Sequence, residues 1–275
     1  LGLFKVTDLT IRLVAFDLDG TLMPRYQSLR PRVIDAVRAA QANGTRVTIA
    51  TGRLFSMVLP YAQQLGLVTP LISHHGALIK DPATGHELYH QGVPLPIVRE
   101  IVLLARNRDL PVAAYVQDTV YVDRLKPEWP VYSWLVKIGA QDVGDLTAFL
   151  DREPTRVAIV TEAPKTKQLV LELRDYFGDR LHVTSGHPLL AEMSHPDVSK
   201  ARGLARLAEH LGIDQSEIMA VGDDWNDIEM LSYAGFGVAM GGCPPEVQAV
   251  ADYIAPSAEE DGAAHVLEKF VLGGH

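Results

Sequence analysis

The stretch "RLVAFDLDGTL", Arg12 to Leu22, decides the fold, because a short apolar run ends there in two aspartates one residue apart. The apolar residues predict a strand over 11–16 that is buried on both faces, as in a parallel sheet. Asp17 and Asp19 then follow at the end of this strand. Carboxylates repel each other and resist transfer out of water, so the pair predicts that a cation or a reacting group binds at this strand end.

Beyond this stretch, predicted strands alternate with predicted helices in both terminal parts of the chain. The predicted strands of these parts are 11–16, 47–50, 71–73, 218–221 and 237–239, and the predicted helices are 31–43, 54–65, 200–211, 227–233, 245–250 and 263–270. Alternating strands and helices imply parallel pairing through right-handed crossovers. The predicted fold class is therefore α/β, with a doubly wound, Rossmann-like parallel-sheet core.

The order of predicted strands and helices changes in the middle of the chain, starting at the turn residues Asp81-Pro82 and Gly85. Two β-α-β units are predicted between residues 87 and 184, which is enough for a small α/β domain. The sequence thus predicts a core domain formed by residues 1–83 and 188–275, and an inserted α/β domain, a cap, formed by residues 84–187.

The composition restricts the compartment and the partners. The chain has 275 residues and a formal net charge of -9, which argues against nucleic acid or an anionic membrane as a partner, since both select basic surfaces. Its single cysteine, Cys243, allows no internal disulfide, and no uncharged apolar stretch is long enough to span a bilayer. Residues 1–12 lack the basic start and the cleavage site of a signal peptide. A cytoplasmic location is expected.

Four polar clusters lie at the ends of predicted core strands or beside them. They are Asp17 to Thr21, "IATGR" from Ile49 to Arg53, Lys200, and "VGDDWND" from Val221 to Asp227. In open α/β sheets, ligands bind outside the carboxyl ends of the strands. Clusters that are far apart in sequence are therefore expected to converge on one crevice.

The side chains of these clusters fit one kind of chemistry. Hard oxygen ligands for Mg²⁺ are offered by Asp17, Asp19, Asp223, Asp224 and Asp227. Donors for phosphate oxygens are offered by Thr51, Asn226, Lys200 and the loop N–H groups near Gly20 and Gly52. Carboxylates that hold a cation beside donors that hold a phosphate are what phosphoryl transfer requires, since its catalysis is mostly positioning and charge neutralisation.

The sequence resembles the haloacid dehalogenase (HAD) superfamily, specifically its Cof-like hydrolase branch with an α/β (C2-type) cap. The resemblance covers nearly the whole chain and rests on "DLDGT", "ATGR", the Ser199-Lys200 pair, "GDDWNDIEML" and a C-terminal region that includes "GVAMGG". Four motifs in order, each at a predicted strand or helix end, are a specific signal. One departure is His75-Gly76-Ala77, where the branch usually has Asn-Gly-Ala.

The resemblance implies a role for each matching position. Asp17 would be the nucleophile that forms an aspartyl-phosphate, and Asp19 would protonate the leaving oxygen and then deprotonate the hydrolytic water. Mg²⁺ would be held by Asp17, the main-chain carbonyl of Asp19, and Asp223. The phosphate-binding residues would be Leu18, Thr51, Gly52, Lys200 and Asn226.

Two further residues would support this site. Asp227 would orient Lys200 or complete the outer shell of the metal. Arg53 would contact the substrate or brace its own loop.

Several of these positions also have a purely structural interpretation. Thr51 fits the N-cap of the helix that follows it, and Lys200 fits an ordinary solvated lysine. A solvent-facing helix start is favoured for Asp224, and a half-buried position for Trp225. The roles of three histidines stay open: His74, His75 and His195.

The predicted function is a Mg²⁺-dependent phosphatase that hydrolyses small soluble phosphomonoesters, such as sugar phosphates or related metabolites, through an aspartyl-phosphate. Two alternatives stay open. One is a phosphotransferase or phosphomutase that uses the same intermediate, and the other is a non-catalytic metabolite-binding protein on this fold. The expected partner is a small phosphate ester, with neither nucleic acid nor membrane, and the chain is expected to be a monomer or a homodimer.

Overall fold

A computed structural model describes residues 10–273 and divides them into two compact units. The core unit consists of the described residues up to Tyr89 and from Ser199 onward, and the insert unit consists of His90–Val198. Most of the segment on which the signal-peptide expectation rests, residues 1–9, lies outside the described residues. No helix within residues 10–273 is both long enough and apolar enough to cross a bilayer.

The two units contain strands and helices throughout. The strands in chain order are β1 (Leu13–Phe16), β2 (Arg46–Ile49), β3 (Leu71–Ser73), β4 (Leu78–Lys80), β5 (Glu87–His90), β6 (Val112–Val116), β7 (Thr119–Val122), β8 (Gln141–Asp142), β9 (Arg156–Val160), β10 (His182–His187), β11 (Leu190–Ser194), β12 (Ile218–Gly222), β13 (Phe236–Ala239) and β14 (Tyr253–Ile254). The helices are α1 (Pro31–Ala42), α2 (Phe55–Leu65), α3 (Leu95–Arg106), α4 (Tyr132–Lys137), α5 (Leu146–Phe149), α6 (Ala163–Phe177), α7 (Lys200–Leu211), α8 (Ile228–Tyr233), α9 (Pro245–Gln248) and α10 (Gly262–Phe270).

Five parallel strands form the main sheet of the core unit, in the order β14-β13-β12-β1-β2. All four residues of β1 are buried, as predicted for a strand covered on both faces. Val14 and Phe16 pack in one hydrophobic cluster with residues of α1, α2 and α10, whereas Leu13 and Ala15 pack in another with residues of α7 and α8. Helices therefore cover both faces of the sheet, and the doubly wound α/β core is confirmed.

Helix α7 carries Lys200 into the core unit and begins where the sequence predicts. The hydroxyl of Ser199, the N-cap residue, accepts a hydrogen bond from the backbone N–H of Arg202 at 3.3 Å. The helix ends at Gly212, whose φ of 63° is left-handed and suits glycine. The local sequence thus fixes both ends of the helix and places Lys200 in its first turn.

A second sheet of the core unit contains β3, β4 and β5 in that order. The turn from Asp81 to Gly85 joins β4 to β5, and the carboxylate of Asp81 accepts hydrogen bonds from the backbone of Ala83 and Thr84. The turn signals therefore mark a connection within one sheet. The predicted start of the insertion at residue 84 falls inside this hairpin, and the structure places the boundary after Tyr89.

The insert unit contains a six-stranded sheet in the order β10-β11-β9-β6-β7-β8. The pairs are antiparallel except for the short parallel pair β7–β8. Apolar residues of α3 and α6 pack in one cluster with one face of this sheet. The unit is therefore an α/β insertion with a mainly antiparallel sheet.

Strand β11 moves the end of the insertion beyond the predicted residue 187. It pairs with both β9 and β10, and Leu190, Ala191 and Met193 are buried. The predicted boundary between residues 187 and 188 cuts the hairpin formed by β10 and β11, and the structure extends the unit to Val198.

Candidate active site

The carboxyl ends of neighbouring strands bring the predicted clusters to one edge of the core sheet. Strands β12, β1 and β2 are adjacent and parallel, and Phe16 lies in register with both Val221 and Ile49. Asp17 directly follows β1, and Asp223 directly follows β12. The convergence expected from the sequence is therefore present in the fold.

The ammonium group of Lys200 joins two carboxylates at this edge. Its Nζ lies 2.5 Å from Oδ1 of Asp17 and 2.6 Å from Oδ1 of Asp227. Lys200 is 1% exposed, which rules out the ordinary solvated lysine. Burial lowers the pKa of Lys200, but the charges and hydrogen bonds of Asp17 and Asp227 outweigh burial and raise the pKa above its usual range. The group is therefore a buried cation.

At Asp17, in contrast to Lys200, the pKa shifts in the direction that burial favours. Burial raises the pKa of Asp17 to about 7, because the loss of hydration, together with the charges of Asp227 and Asp223, outweighs the attraction of Lys200. An aspartate with a raised pKa is stabilised in its ionised form by any further positive charge that reaches it. The site thus favours a cation beside Asp17.

Asp227 fixes the loop that follows β12. Its Oδ2 accepts hydrogen bonds from the backbone N–H groups of Asp223 at 3.0 Å and Asp224 at 3.1 Å, while its Oδ1 accepts from Lys200. A Cβ atom at Gly222 would lie 2.5 Å from the side chain of Asp227, so the close approach requires glycine there. Asp227 therefore orients Lys200 and the loop together.

Asp223 is held by Thr21, which lies in the first of the four clusters, and by Arg25, which lies in none of them. Its Oδ1 accepts a hydrogen bond from the hydroxyl of Thr21 at 2.8 Å, and its Oδ2 lies 2.9 Å from Nη2 of Arg25. Burial raises the pKa of Asp223, although the hydrogen bonds from Arg25 and Thr21 oppose the shift. Gly20, with a φ of 93°, lies directly beneath this carboxylate, where a Cβ atom would overlap it.

The predicted acid, Asp19, is held by Arg53. Nε of Arg53 lies 2.7 Å from Oδ2 of Asp19, and Nη2 lies 2.5 Å from Oδ1, which is a bidentate pair. The guanidinium of Arg53 also lies over the ring of Tyr61, at 5.5 Å from its centroid. Both oxygens of Asp19 are therefore engaged by Arg53.

The second cluster lies beside a histidine whose role the sequence left open. Thr51 is buried and is not the N-cap of α2, a position occupied by Leu54. A Cβ atom at Gly52 would overlap the imidazole of His75. The Nδ1 atom of His75 also lies 3.5 Å from Nδ2 of Asn226. His75 therefore lies between the predicted phosphate-binding residues of two clusters.

The remaining predicted residues have mixed outcomes. Leu18 is fully buried in the core, so only its main chain can serve a phosphate. Asp224 accepts a hydrogen bond from the N–H of Trp225 at 2.8 Å and begins a short 3-10 turn, as predicted for a helix start. Trp225 is 61% exposed, whereas the sequence favoured a half-buried position. His195 belongs to the insert unit.

Three carboxylates meet the requirement for a cation site. Ligand oxygens of Asp17, Asp223 and Asp227 all lie within 4.8 Å of one another, and all three residues are buried. Oxygen donors of this kind suit a hard divalent cation. The carboxylate of Asp19 is not in this set, which is compatible with a contribution from its main-chain carbonyl.

Comparisons with known proteins identify the family. The model of the haloacid dehalogenase-like hydrolases matches residues 14–267. The chain belongs to this family. A 5-amino-6-(5-phospho-D-ribitylamino)uracil phosphatase of Bacillus subtilis is 30% identical over 266 residues, which cover 94% of this chain and 97% of the relative.

Solved structures agree with the family. The structure of a phosphatase of the HAD enzyme superfamily from Bacteroides thetaiotaomicron is 30% identical, covers 98% of both chains and has a TM-score of 0.80. A haloacid dehalogenase-like hydrolase from the same bacterium is 27% identical, covers 94% of this chain and 99% of its own, and has a TM-score of 0.82.

The family settles the general activity. The chain is an enzyme, a HAD-type phosphatase, and the resemblance to the Cof-like branch is confirmed. HAD hydrolases generally use a divalent metal ion, and the cluster of Asp17, Asp223 and Asp227 fits one. The non-catalytic alternative is set aside.

Proposed function

We propose that this phosphatase hydrolyses small soluble phosphomonoesters in two steps, with Asp17 as the nucleophile and Mg²⁺ as the metal ion. The observation that carries the proposal is the buried contact between Lys200 and Asp17, residues that lie 183 positions apart along the chain. Apolar residues would pack such an interior at lower cost than ions, so a buried lysine between Asp17 and Asp227 points to chemistry.

The first step transfers the phosphoryl group to the enzyme. A carboxylate oxygen of Asp17 forms a bond to phosphorus while the ester P–O bond breaks, and the leaving oxygen takes a proton from Asp19, which has left Arg53 and taken up a proton from solvent. Lys200 and Thr51 offer positive charge and a hydroxyl donor to the phosphoryl oxygens. The result is an aspartyl-phosphate and a free alcohol.

The second step restores the enzyme. Water attacks phosphorus and gives its proton to Asp19, while the bond between phosphorus and Asp17 breaks. Inorganic phosphate leaves, and both aspartates regain their initial protonation states. Arg53 is proposed to hold Asp19 between turnovers and to release it when a substrate binds, because its guanidinium engages both oxygens of that carboxylate.

The proposed ligands of Mg²⁺ are Asp17, Asp223 and the main-chain carbonyl of Asp19. Asp227 is proposed to orient Lys200 or to complete the outer shell of the metal, since its Oδ1 accepts from Lys200 and its Oδ2 from two backbone N–H groups. When bound, Mg²⁺ would neutralise charge on the carboxylates and on the phosphoryl group.

The proposed substrates are sugar phosphates or related metabolites. The Bacillus subtilis relative is named for a phosphorylated ribitylaminouracil, which is a small phosphate ester. The insert unit is proposed to act as the cap that provides specificity. A cytoplasmic location and the absence of nucleic acid and membrane partners remain predictions from the sequence and its composition. A monomer or a homodimer also remains a prediction.

A panel of metabolite phosphates incubated with the protein and Mg²⁺ tests the proposal, with inorganic phosphate as the readout. We expect release from at least one ester, loss of release with a chelator, and no release above background by Asp17→Asn. Release that persists in Asp17→Asn would contradict the assigned nucleophile. Repeating the assay with an added sugar acceptor tests the phosphotransferase alternative, which predicts transfer in place of phosphate release.

A further inference from the structure

Arg25 places a guanidinium on the carboxylates around the cation cluster. Its Nη2 lies 2.9 Å from Oδ2 of Asp223 and 2.7 Å from Oδ2 of Asp224. Arg25 lies in the loop after β1, and its side chain is 51% exposed. Solvent thus reaches half of this side chain, so the two carboxylates, rather than burial, fix its position.

The charges of the cluster do not balance without a further cation. When ionised, the carboxylates are Asp17, Asp223, Asp224 and Asp227, and the cations that contact them are Lys200 and Arg25. Asp19 and Arg53 balance each other. Two negative charges therefore remain in excess, which one divalent cation would neutralise, and the excess would be three without Arg25.

Asp223 is the residue at which a guanidinium and a metal ion would meet. Thr21 engages its Oδ1 and Arg25 engages its Oδ2, so both oxygens have donors in the structure. A cation that binds Asp223 has to displace one donor or share an oxygen with it. Arg25 is the donor that the charge of the cation repels, and its exposed side chain has room to withdraw.

We propose that Arg25 is an internal counter-ion that competes with the divalent cation for Asp223. In the cation-free protein Arg25 neutralises part of the excess charge, and on cation binding it withdraws to Asp224, which it already contacts. The affinity for the cation is then set partly by Arg25. This inference rests on the proposed function only in taking Asp17 and Asp223 as cation ligands.

Direct binding measurements test the competition without relying on turnover. Mn²⁺ binding is measured by electron paramagnetic resonance and Mg²⁺ binding by calorimetry, for the wild type, Arg25→Gln and Arg25→Lys. We expect Arg25→Gln to bind both ions roughly five- to twentyfold more tightly, since one repelling charge is removed and coupling of this kind is reciprocal. Arg25→Lys keeps the charge, and its affinities should stay within about threefold of the wild type.

Arg32→Gln is the matched control. Arg32 has a side chain that is 50% exposed and pairs with Glu268 at 2.7 Å, so it resembles Arg25 in exposure and in contact but touches none of the cluster residues. Its removal should leave cation affinity unchanged. A second readout is thermal unfolding, in which Mg²⁺ should raise the midpoint of Arg25→Gln more than that of the wild type or of Arg32→Gln.

Each outcome decides between named possibilities. Equal or weaker cation binding by Arg25→Gln would overturn the competition and make Arg25 a residue that holds Asp223 in place. Tighter binding by Arg25→Lys, equal to that of Arg25→Gln, would assign the effect to shape and would overturn it as well. If the wild type bound neither ion, the metal site of the proposed function would fail, and the role of Arg25 would fail with it.

Discussion

The core unit and the insert unit each bury an aspartate against a cation, but the two clusters differ in how far water reaches their other acids. In the insert unit, Arg106 binds both oxygens of Asp123 at 2.6 and 2.7 Å and also reaches Asp145 at 2.8 Å. The backbone N–H of Leu146 completes the hydrogen bonding of Asp123. In both units the acids outnumber the cations, but Asp145 is 43% exposed to water, whereas Lys200, Asp17 and Asp227 of the core unit are buried.

The pKa shifts of the two clusters have opposite signs. Hydrogen bonds from Thr147 and Arg106 hold the pKa of Asp145 below its usual range, so ionisation is favoured there. Burial raises the pKa of Asp17 and Asp223, so ionisation is opposed in the core unit. A cluster whose hydrogen bonds favour the ionised acid maintains structure, whereas a cluster whose buried acids resist ionisation is suited to bind a cation or a substrate.

The largest expected effect is that of Asp17→Asn on activity. Loss of the nucleophile should lower the rate of phosphate release by on the order of 10⁴-fold or more, because the covalent intermediate can no longer form. The chelated variant should be at least as stable as the chelated wild type, because a buried charge disappears while the amide oxygen still accepts from Lys200. Asp123→Asn is the control from the insert unit, and the folded variant should retain turnover.

The next effect is that of Asp19→Asn, which should separate chemistry from cation binding. Turnover should fall by roughly 10²- to 10⁴-fold, because the variant has no proton to exchange. Cation affinity measured by calorimetry should stay close to that of the wild type, because the main-chain carbonyl remains. A loss of affinity comparable to that in Asp17→Asn would contradict the role given to Asp19.

A smaller effect is expected from breaking the cluster of the insert unit. Asp123→Asn should lower the free energy of unfolding by about 2–3 kcal/mol, since it weakens a charged hydrogen-bond pair that is shielded from water. Asp145→Asn, at a side chain that is 43% exposed, should lower it by much less than Asp123→Asn does, because water screens the pair. Urea unfolding measures both, and equal losses would contradict the difference in burial.

The smallest effect is a difference in the pH dependence of stability. The raised pKa of Asp17 means that, between about pH 4 and 7, the folded chain binds this proton more tightly than the unfolded chain does. The contribution of Asp17 to the free energy of unfolding therefore decreases as pH rises through this range. The pKa of Asp145 is lowered instead, so its contribution to the free energy of unfolding is lost as the pH falls. The unfolding midpoint of the chelated wild type should fall relative to Asp17→Asn by a few degrees, roughly 2–8 °C, from pH 5 to pH 8. A constant difference would contradict the shift.

The sequence predicted the elements whose signals are local. The strand before Asp17, the helix that begins at Lys200 and the strand before Asp223 each have an apolar pattern and a defined end, so the core fold and the meeting of these clusters at one sheet edge followed from them. Strand β11 was missed because its strand character depends on pairing with β9 and β10, while its own sequence is bounded by prolines.

The missing parts of the site depend on contacts between distant residues. Arg25 meets Asp223 across 198 positions, and His75 meets Asn226 across 151 positions. Neither residue belongs to a motif that predicts its partner. An arginine in a polar loop, such as Arg25, is usually solvated. The bidentate pair of Arg53 and Asp19 could likewise not be predicted from the sequence, although Arg53 was predicted to support the site.

The position of Lys200 along the chain has a consequence for the way the protein is made. A ribosome that adds about 5–20 residues per second needs roughly 10–40 s to advance from Asp17 to Lys200, which are 183 residues apart. During this interval β1 has emerged but β12, its neighbour in the finished sheet, has not been synthesised. The nascent chain must therefore carry an apolar strand and an unpaired aspartate while the whole insert unit is translated.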